Sequence, residues 1–224
     1  MNWQPIILSL ELALVTTALL FVVAIPIANW LAQSKSRVKP MIESIISLPL
    51  VLPPTVLGFY LLVAFSPNNA VGNWLQNTLG IQLIFTFPGL VLASMIYSLP
   101  FMVQPIQSGL AGLSLNMKES SYVIGKSKLK TLIRVLLPNI KPSMLTALVL
   151  TFAHTMGEFG VVLMIGGNIP GVTKVASIAI YDEVESLNYA AAHQYALILL
   201  LLSFGILVTV YSLNKRIKPA GSHA

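Results

Sequence analysis

Cysteine is absent from the 224 residues, which removes disulfides, thiolate metal sites and cysteine nucleophiles together. Charge is scarce as well. Only 9% of the residues are Asp, Glu, Lys or Arg, against roughly 25% in soluble chains. Thirteen basic and 7 acidic side chains cannot cover a globule of this size without leaving large apolar patches. Disorder is excluded too, because it requires low hydrophobicity and high net charge. The three histidines, His154, His193 and His223, show no metal-ligand spacing. The N-terminal stretch has neither a basic opening nor a small-residue cleavage site, so it reads as a retained span and not as a cleaved signal. What the chain has instead is 56% hydrophobic content and a mean hydropathy of +0.83. These values define an integral membrane protein.

A helix crossing the hydrocarbon core needs about 20 mostly apolar residues. Five such stretches are expected, near Pro5–Leu31, Ile45–Phe65, Phe85–Gln107, Met144–Ile165 and Tyr195–Leu213. Ser44 to Met117 holds no ionisable Asp, Glu, Lys or Arg at all, but the Pro, Asn, Gly and Gln cluster of Ser66–Gln82 divides it. Val175–Ile180 is apolar but too short to cross. The expected architecture is all-α, one transmembrane domain over residues 1–224.

The basic residues set a topology. Lys35, Arg37 and Lys39 follow the first span, Lys118, Lys126, Lys128, Lys130, Arg134 and Lys141 follow the third, and Lys215, Arg216 and Lys218 follow the fifth. Lys174 alone falls on the alternate side, with Asp182, Glu183 and Glu185. The positive-inside rule makes the basic side cytoplasmic, placing the N-terminus outside and the C-terminus inside. Topology thereby accounts for the net charge of +6, and no nucleic-acid partner is needed to explain it.

The segment Ser114–Pro142 is a long cytoplasmic loop with structure of its own. Leu129, Leu132, Ile133, Leu136 and Leu137 make the stripe of an amphipathic helix that Pro138 would stop. Before it, Asn116 and Glu119 have capping-box-like spacing for a shorter helix. Gly125 sits where a tight turn would need positive φ. On periodicity alone this is equally a basic hairpin lying on the inner leaflet. Gly125-Lys126-Ser127 imitates the end of a P-loop, but Ser120 stands where the first glycine belongs and no strand precedes it.

The spacing of Glu119, Gly125 and Leu137-Pro138 resembles the cytoplasmic EAA loop of bacterial ABC importer permeases. The opening here is Glu119-Ser120-Ser121, with serines in place of alanines. Two further stretches, LPLVLPPTVLGFYLL (Leu48–Leu62) and HTMGEFGVVLMIGGNIPG (His154–Gly171) followed by SIAIYDEVE (Ser177–Glu185), resemble the molybdate/sulfate branch of that family, and within it the molybdate permeases. The likeness runs over nearly the whole chain. It implies a type I, MetI-like permease fold in the bacterial cytoplasmic membrane and a homodimer. It also implies two cytoplasmic ABC ATPase subunits and a periplasmic molybdate-binding protein. Glu119, Ser120, Ser121 and Gly125 would belong to the coupling helix that docks on the ATPase. ATP and Mg would be held by that partner, so this chain is expected to carry no cofactor and no catalytic residue. Tungstate or sulfate is the alternative cargo.

The residues themselves suggest a path. Pro49, Pro53 and Pro54 each remove a backbone donor, so span two should kink or unwind at Leu52–Thr55. Broken backbone at membrane depth is tolerated where it is packed in protein or lines a watery cavity. His154 and Glu158 are four apart, on one helical face beside Thr151 and Thr155. Ionisable groups in mid-membrane mark function by default. They would line the path, hold helices together, or relay protons in a secondary transporter, the rival class. A structural scaffold is a second rival. No Lys or Arg lies within a span, so the path would be lined by neutral donors, with Pro53, Pro54, Thr55, Tyr97 and Ser98 as candidates.

Overall fold

The computed structural model describes the backbone of residues 2–216 and the side chains of residues 2–212. Lys218 and His223 lie outside the described residues. The first helix, α1 (Gln4–Gln33), is 30 residues long and runs through Pro26 without stopping. Its buried stripe of Leu12, Thr16, Leu20, Ala24, Ala28 and Leu31 has helical spacing and small residues toward one end. Small side chains let neighbouring backbones approach in a membrane, where no hydrophobic force drives helices together.

The expected second span is two helices, α2 (Lys39–Val51) and α3 (Pro54–Phe65), which meet at 114°. This exceeds the kink that the prolines imply. Leu52 precedes Pro53 and Pro53 precedes Pro54, and a residue before proline is driven out of the α region. Both are extended, with ψ of 136° and 135°. Two successive residues outside the α region let the chain turn where a lone proline only bends it. A short helix, α4 (Ala70–Leu79), follows and ends on Gly80 in the left-handed region, φ 68°.

The third span is α5 (Phe87–Ala111), opened by Thr86, whose hydroxyl accepts from the Gly89 amide at 3.3 Å. The loop helices are α6 (Leu115–Val123) and α7 (Lys128–Thr131), then a π-helical stretch over Leu132–Leu136 and α8 (Leu137–Asn139). The cap of α6 is Ser114, so Asn116 lies inside the helix and is not its cap. Gly125 makes the turn with φ of 80°, as expected. Pro138 does not end the second helix. It sits in the first turn of α8, where its missing N–H is no loss, and the π stretch just before it absorbs one extra residue. That extra residue rotates the stripe. Leu132, Leu136 and Ile140 are buried, while Leu129 and Ile133 are exposed.

The fourth span is also broken. α9 (Lys141–Met156) stops at Gly157, and α10 (Gly160–Gly166) follows after Phe159. Glu158 therefore lies in a turn, its amide reaching Thr155 O at 3.3 Å, and not on the His154 face of a continuous helix. The last two helices are α11 (Ala176–Glu185) and α12 (Tyr189–Arg216). Three helices, α1, α5 and α12, are long and apolar enough to cross a membrane, or up to five spans if two bent pairs each count as one, α2 with α3 and the Lys128–Asn139 segment with α9, which meet at 82°.

α1, α5 and α9 form the central bundle; α10 packs on α3 and α5, and α12 on α11 and α9. One core cluster joins Leu20, Leu31, Met102, Ile106, Leu132 and Ile140, and a second joins Leu12, Leu90, Val161, Ile165 and Ile178. Lys118 Nζ donates to Gln33 Oε1, so the loops after α1 and α5, which carry most of the basic residues, share one end of the bundle. At the other end Ser9 Oγ accepts from the Ala176 amide at 2.8 Å, and Tyr195 Oη donates to Asn2 O at 2.9 Å. Lys174 is at that end, paired with Asp182.

Candidate functional site

The two helix breaks meet. A Cβ built on Gly160 would stand 2.8 Å from Pro54 Cβ and 3.2 Å from Thr55 N. One built on Gly58 would stand 2.8 Å from Met164 Cβ and 3.1 Å from Val161 Cα. α3 and α10 thus touch almost backbone to backbone, and only glycine allows this at those two positions. The expected path residues did not include either glycine. Gly58 follows closely on Pro54, and Gly160 closely on Glu158. That placement gains meaning only once both breaks are known to be adjacent.

Beside this contact is a cavity of about 480 Å³ lined by Pro54, Thr55, Tyr97, His154, Glu158 and Phe159 among others. The structure brings together most of the expected path residues there. Pro53 and Thr55 are exposed, Tyr97 and His154 half-buried. Ser98 is different: it is fully buried and stands behind the wall. Its Oγ lies 3.0 Å from His154 Nδ1 and 3.1 Å from Thr155 Oγ1. The His154 ring packs against two aromatic rings, Tyr97 at 4.7 Å and Phe101 at 4.2 Å between centroids. Glu158 is 4% exposed, and neither carboxyl oxygen meets a hydrogen-bond donor among the described residues. The Ser94 hydroxyl on α5 is its polar neighbour, outside hydrogen-bonding geometry. The backbone carbonyl of Glu158 accepts from Ser177 Oγ at 2.6 Å, which ties the turn to α11.

A second cleft of about 290 Å³ lies further along the same face of α5, at the basic end. Gln104, Gln107, Ser108 and Ala111 line it from α5, and Glu43, Ile46 and Ser47 from α2. Tyr97, Gln104, Ser108 and Ala111 are spaced seven, four and three apart, which is one helical face. Gln104 Nε2 donates to Ser47 Oγ at 3.0 Å and Gln107 Nε2 to Glu43 Oε1 at 2.6 Å. Phe101 stands on α5 between the two openings. Leu31, Ile46 and Ala111 make its apolar wall, and its polar groups are neutral amides and hydroxyls apart from Glu43.

The loop site is built separately. Glu119 and Ser120 are exposed on α6, and with Asn116, Val123 and Ile124 they line an open depression of about 480 Å³. Val123 is 87% exposed and Ile124 74%. Ser121 points the other way. It is buried, with its Oγ 2.9 Å from Thr131 Oγ1, and this contact closes the hairpin. The small side chain at 121 therefore serves packing inside the loop, and the outward surface belongs to Glu119, Ser120, Val123 and Ile124.

Two helix breaks meeting at a cavity that carries Thr55, Tyr97, His154 and Glu158, and a folded loop exposing an apolar tip at the basic end, are features suited to the membrane-embedded subunit of a transporter. The chain belongs to the family of binding-protein-dependent transport system inner membrane components, whose pattern matches residues 12–219. It is 49% identical over 212 residues to the molybdenum transport system permease protein ModB of Azotobacter vinelandii, covering 94% of this chain and 93% of that one. It is 31% identical over 202 residues to the probable sulfate transport system permease protein cysT of Nephroselmis olivacea, covering 90% and 71%. Its fold matches the inward-facing MetNI methionine ABC transporter with a TM-score of 0.72 at 14% identity, over 96% of this chain and 94% of that one. The fold is thus that of an ABC importer permease, and the chain is a transport subunit.

Proposed function

We propose that this chain is the permease of an ATP-driven molybdate importer in the bacterial cytoplasmic membrane, working as a homodimer with two cytoplasmic ABC ATPases and a periplasmic molybdate-binding protein. The N-terminus lies outside and the basic end inside, in keeping with the positive-inside rule. The observation that carries the reading is the outward face of α6. Val123 and Ile124 are exposed beside Glu119 and Ser120, on a helix whose other side is fixed by Ser121 and Thr131. An apolar tip on a preformed support suits a groove in a partner protein. ATP and Mg sit in that partner, and this chain carries no catalytic residue.

ATP binding favours the outward-open arrangement only if the ATPase dimer grips α6 better in that state, since a ligand shifts an equilibrium by its differential affinity alone. Lys118, one residue before Glu119, reaches Gln33 at the end of α1, which supplies a contact between the loop and the bundle. The cavity beside Thr55, Tyr97, His154 and Glu158 and the cleft at Gln104 lie in sequence along α5 and supply a route with few fixed charges. Among the described residues no Lys or Arg lines either opening, which favours release over trapping.

The test is uptake of radiolabelled molybdate by the full complex in proteoliposomes, with ATP inside. Glu119→Arg combined with Gly125→Glu should abolish uptake and copurification of the ATPase while the chain still inserts. Unchanged uptake in that variant overturns the docking role, and uptake driven by a pH gradient without ATPase favours the secondary transporter. Sulfate or tungstate is the second reading, supported by the likeness to the sulfate permease. Competition with each anion decides between them.

A further inference from the structure

The buried contact behind the cavity fixes more than a helix pair. A neutral imidazole has one N–H and one bare nitrogen, and the partner of one nitrogen decides the tautomer. Ser98, Thr155 and His154 share three protons and two short contacts. If the ring proton were on Nδ1, it would go to Ser98 Oγ, the serine proton would pass to Thr155 Oγ1, and the threonine proton would need a further acceptor. In a helix that acceptor is the carbonyl one turn back, as Thr146 and Thr209 use here. Among the described residues no such bond is formed by Thr155, which is 3% exposed. A buried hydroxyl proton without an acceptor is costly. In the other arrangement every buried proton is placed: Thr155 donates to Ser98, Ser98 donates to His154 Nδ1, and the ring proton is on Nε2.

From this geometry we infer that Ser98 is a positioning residue, which holds His154 as the Nε2–H tautomer so that a neutral N–H faces the cavity as a donor to a tetrahedral oxyanion. The inference rests on the reading of this chain as an oxyanion permease. Tyr97 and Phe101 both pack against the ring, at 4.7 and 4.2 Å between centroids. Glu158 lines the same cavity with both oxygens unpartnered among the described residues, so no neighbouring group holds its carboxyl in one orientation. The imidazole N–H, in a cavity that Thr55 and Tyr97 also line, is the donor whose orientation is fixed by hydrogen bonds behind it. A fixed positive charge would trap a dianion; an oriented neutral dipole contacts it and lets it leave.

The experiment uses the full complex in lipid nanodiscs with nitrogen-15 labelled histidine, His154 being assigned by difference from His154→Gln. The wild-type spectrum should show Nδ1 bare and Nε2 protonated, with molybdate shifting the Nε2 signal. Ser98→Ala should mix the tautomers and lower molybdate uptake roughly five- to tenfold, the worth of about one neutral hydrogen bond. His154→Gln, which keeps an N–H donor, should retain more uptake than His154→Phe, which fills the space without one. A wild-type spectrum with the proton on Nδ1 overturns the inference. So does Ser98→Ala with unchanged tautomer and uptake, or His154→Phe transporting at the wild-type rate. A wild-type complex that takes up no molybdate overturns the cargo reading instead, and the tautomer spectrum still stands as its own result.

Discussion

At the scale of single residues, the glycines separate into two kinds with different predicted behaviour. Gly160 and Gly58 are close-approach positions, where an added Cβ meets neighbouring atoms at 2.8 Å. Overpacking of that sort costs about 1–3 kcal/mol. Gly160→Val should lower the thermal midpoint of the detergent-solubilised protein and stop uptake, read by fluorescence-detected unfolding and a transport assay. Gly125 is a conformational position. An added Cβ there meets nothing within 4 Å, but φ is 80°. The cost of Gly125→Val is backbone strain of about 1–2 kcal/mol, while Gly125→Asn, which tolerates the left-handed region better, should fall between. The order glycine, asparagine, valine in stimulated ATPase activity of the complex checks this. Adding Gly125→Ala separates the two causes: strain ranks alanine below asparagine, which tolerates the left-handed region better, whereas alanine above asparagine, the order of side-chain volume, would show that a partner fills the space.

At the scale of elements, the broken helices are the structural event. Both α2–α3 and α9–α10 are interrupted where Pro53-Pro54 and Gly157 fall. Replacing both prolines with alanine restores two backbone donors and frees Leu52 and position 53 to turn helical. Spin labels at the exposed positions Ile45 and Tyr60 should then move apart in a Pro53→Ala, Pro54→Ala variant, because straightening a 114° turn lengthens the element. An unchanged distance would mean that contact with α10, and not the prolines, sets the bend.

These elements also mark what was legible beforehand. Length and hydropathy find α1, α5 and α12, because a membrane span is a composition signal, although α12 starts at Tyr189, a turn and more before the expected Tyr195. The proline pair announces a break but not its angle, which depends on where α10 stands. The loop stripe from Leu129 to Leu137 reads as one helix because α periodicity was assumed, and the π stretch at Leu132–Leu136 shifts the phase. Polarity inside apolar runs singles out Thr55, Tyr97, His154 and Glu158, and the structure places all four at one cavity. Ser98 was readable as polar but not as buried, and Phe101, Gln104 and Ser47 carried no signal without knowing that α2 faces α5.

At the scale of the whole molecule, one chain leaves a large apolar face open on α2 and α3. Val51 is 81% exposed, Tyr60 64% and Phe59 51%. This face adjoins the cavity, so a second copy placed there would enclose the route between two chains. The absence of cysteine makes the test direct. Val51→Cys should form a disulfide between copies in native membranes, whereas Phe204→Cys, at an exposed position on α12, should not. Cross-linking through position 204 alone would move the dimer seam to the other side of the bundle.

The tight glycine seating of α3 on α10 has a mechanical corollary. Two pieces with no slack between them behave as one wedge, and a wedge does not split along its own grain. Passage of cargo must then widen a seam outside it, either toward the second copy or along α5. Binders that clamp those outer seams would arrest turnover, while stiffening the wedge itself would leave it running.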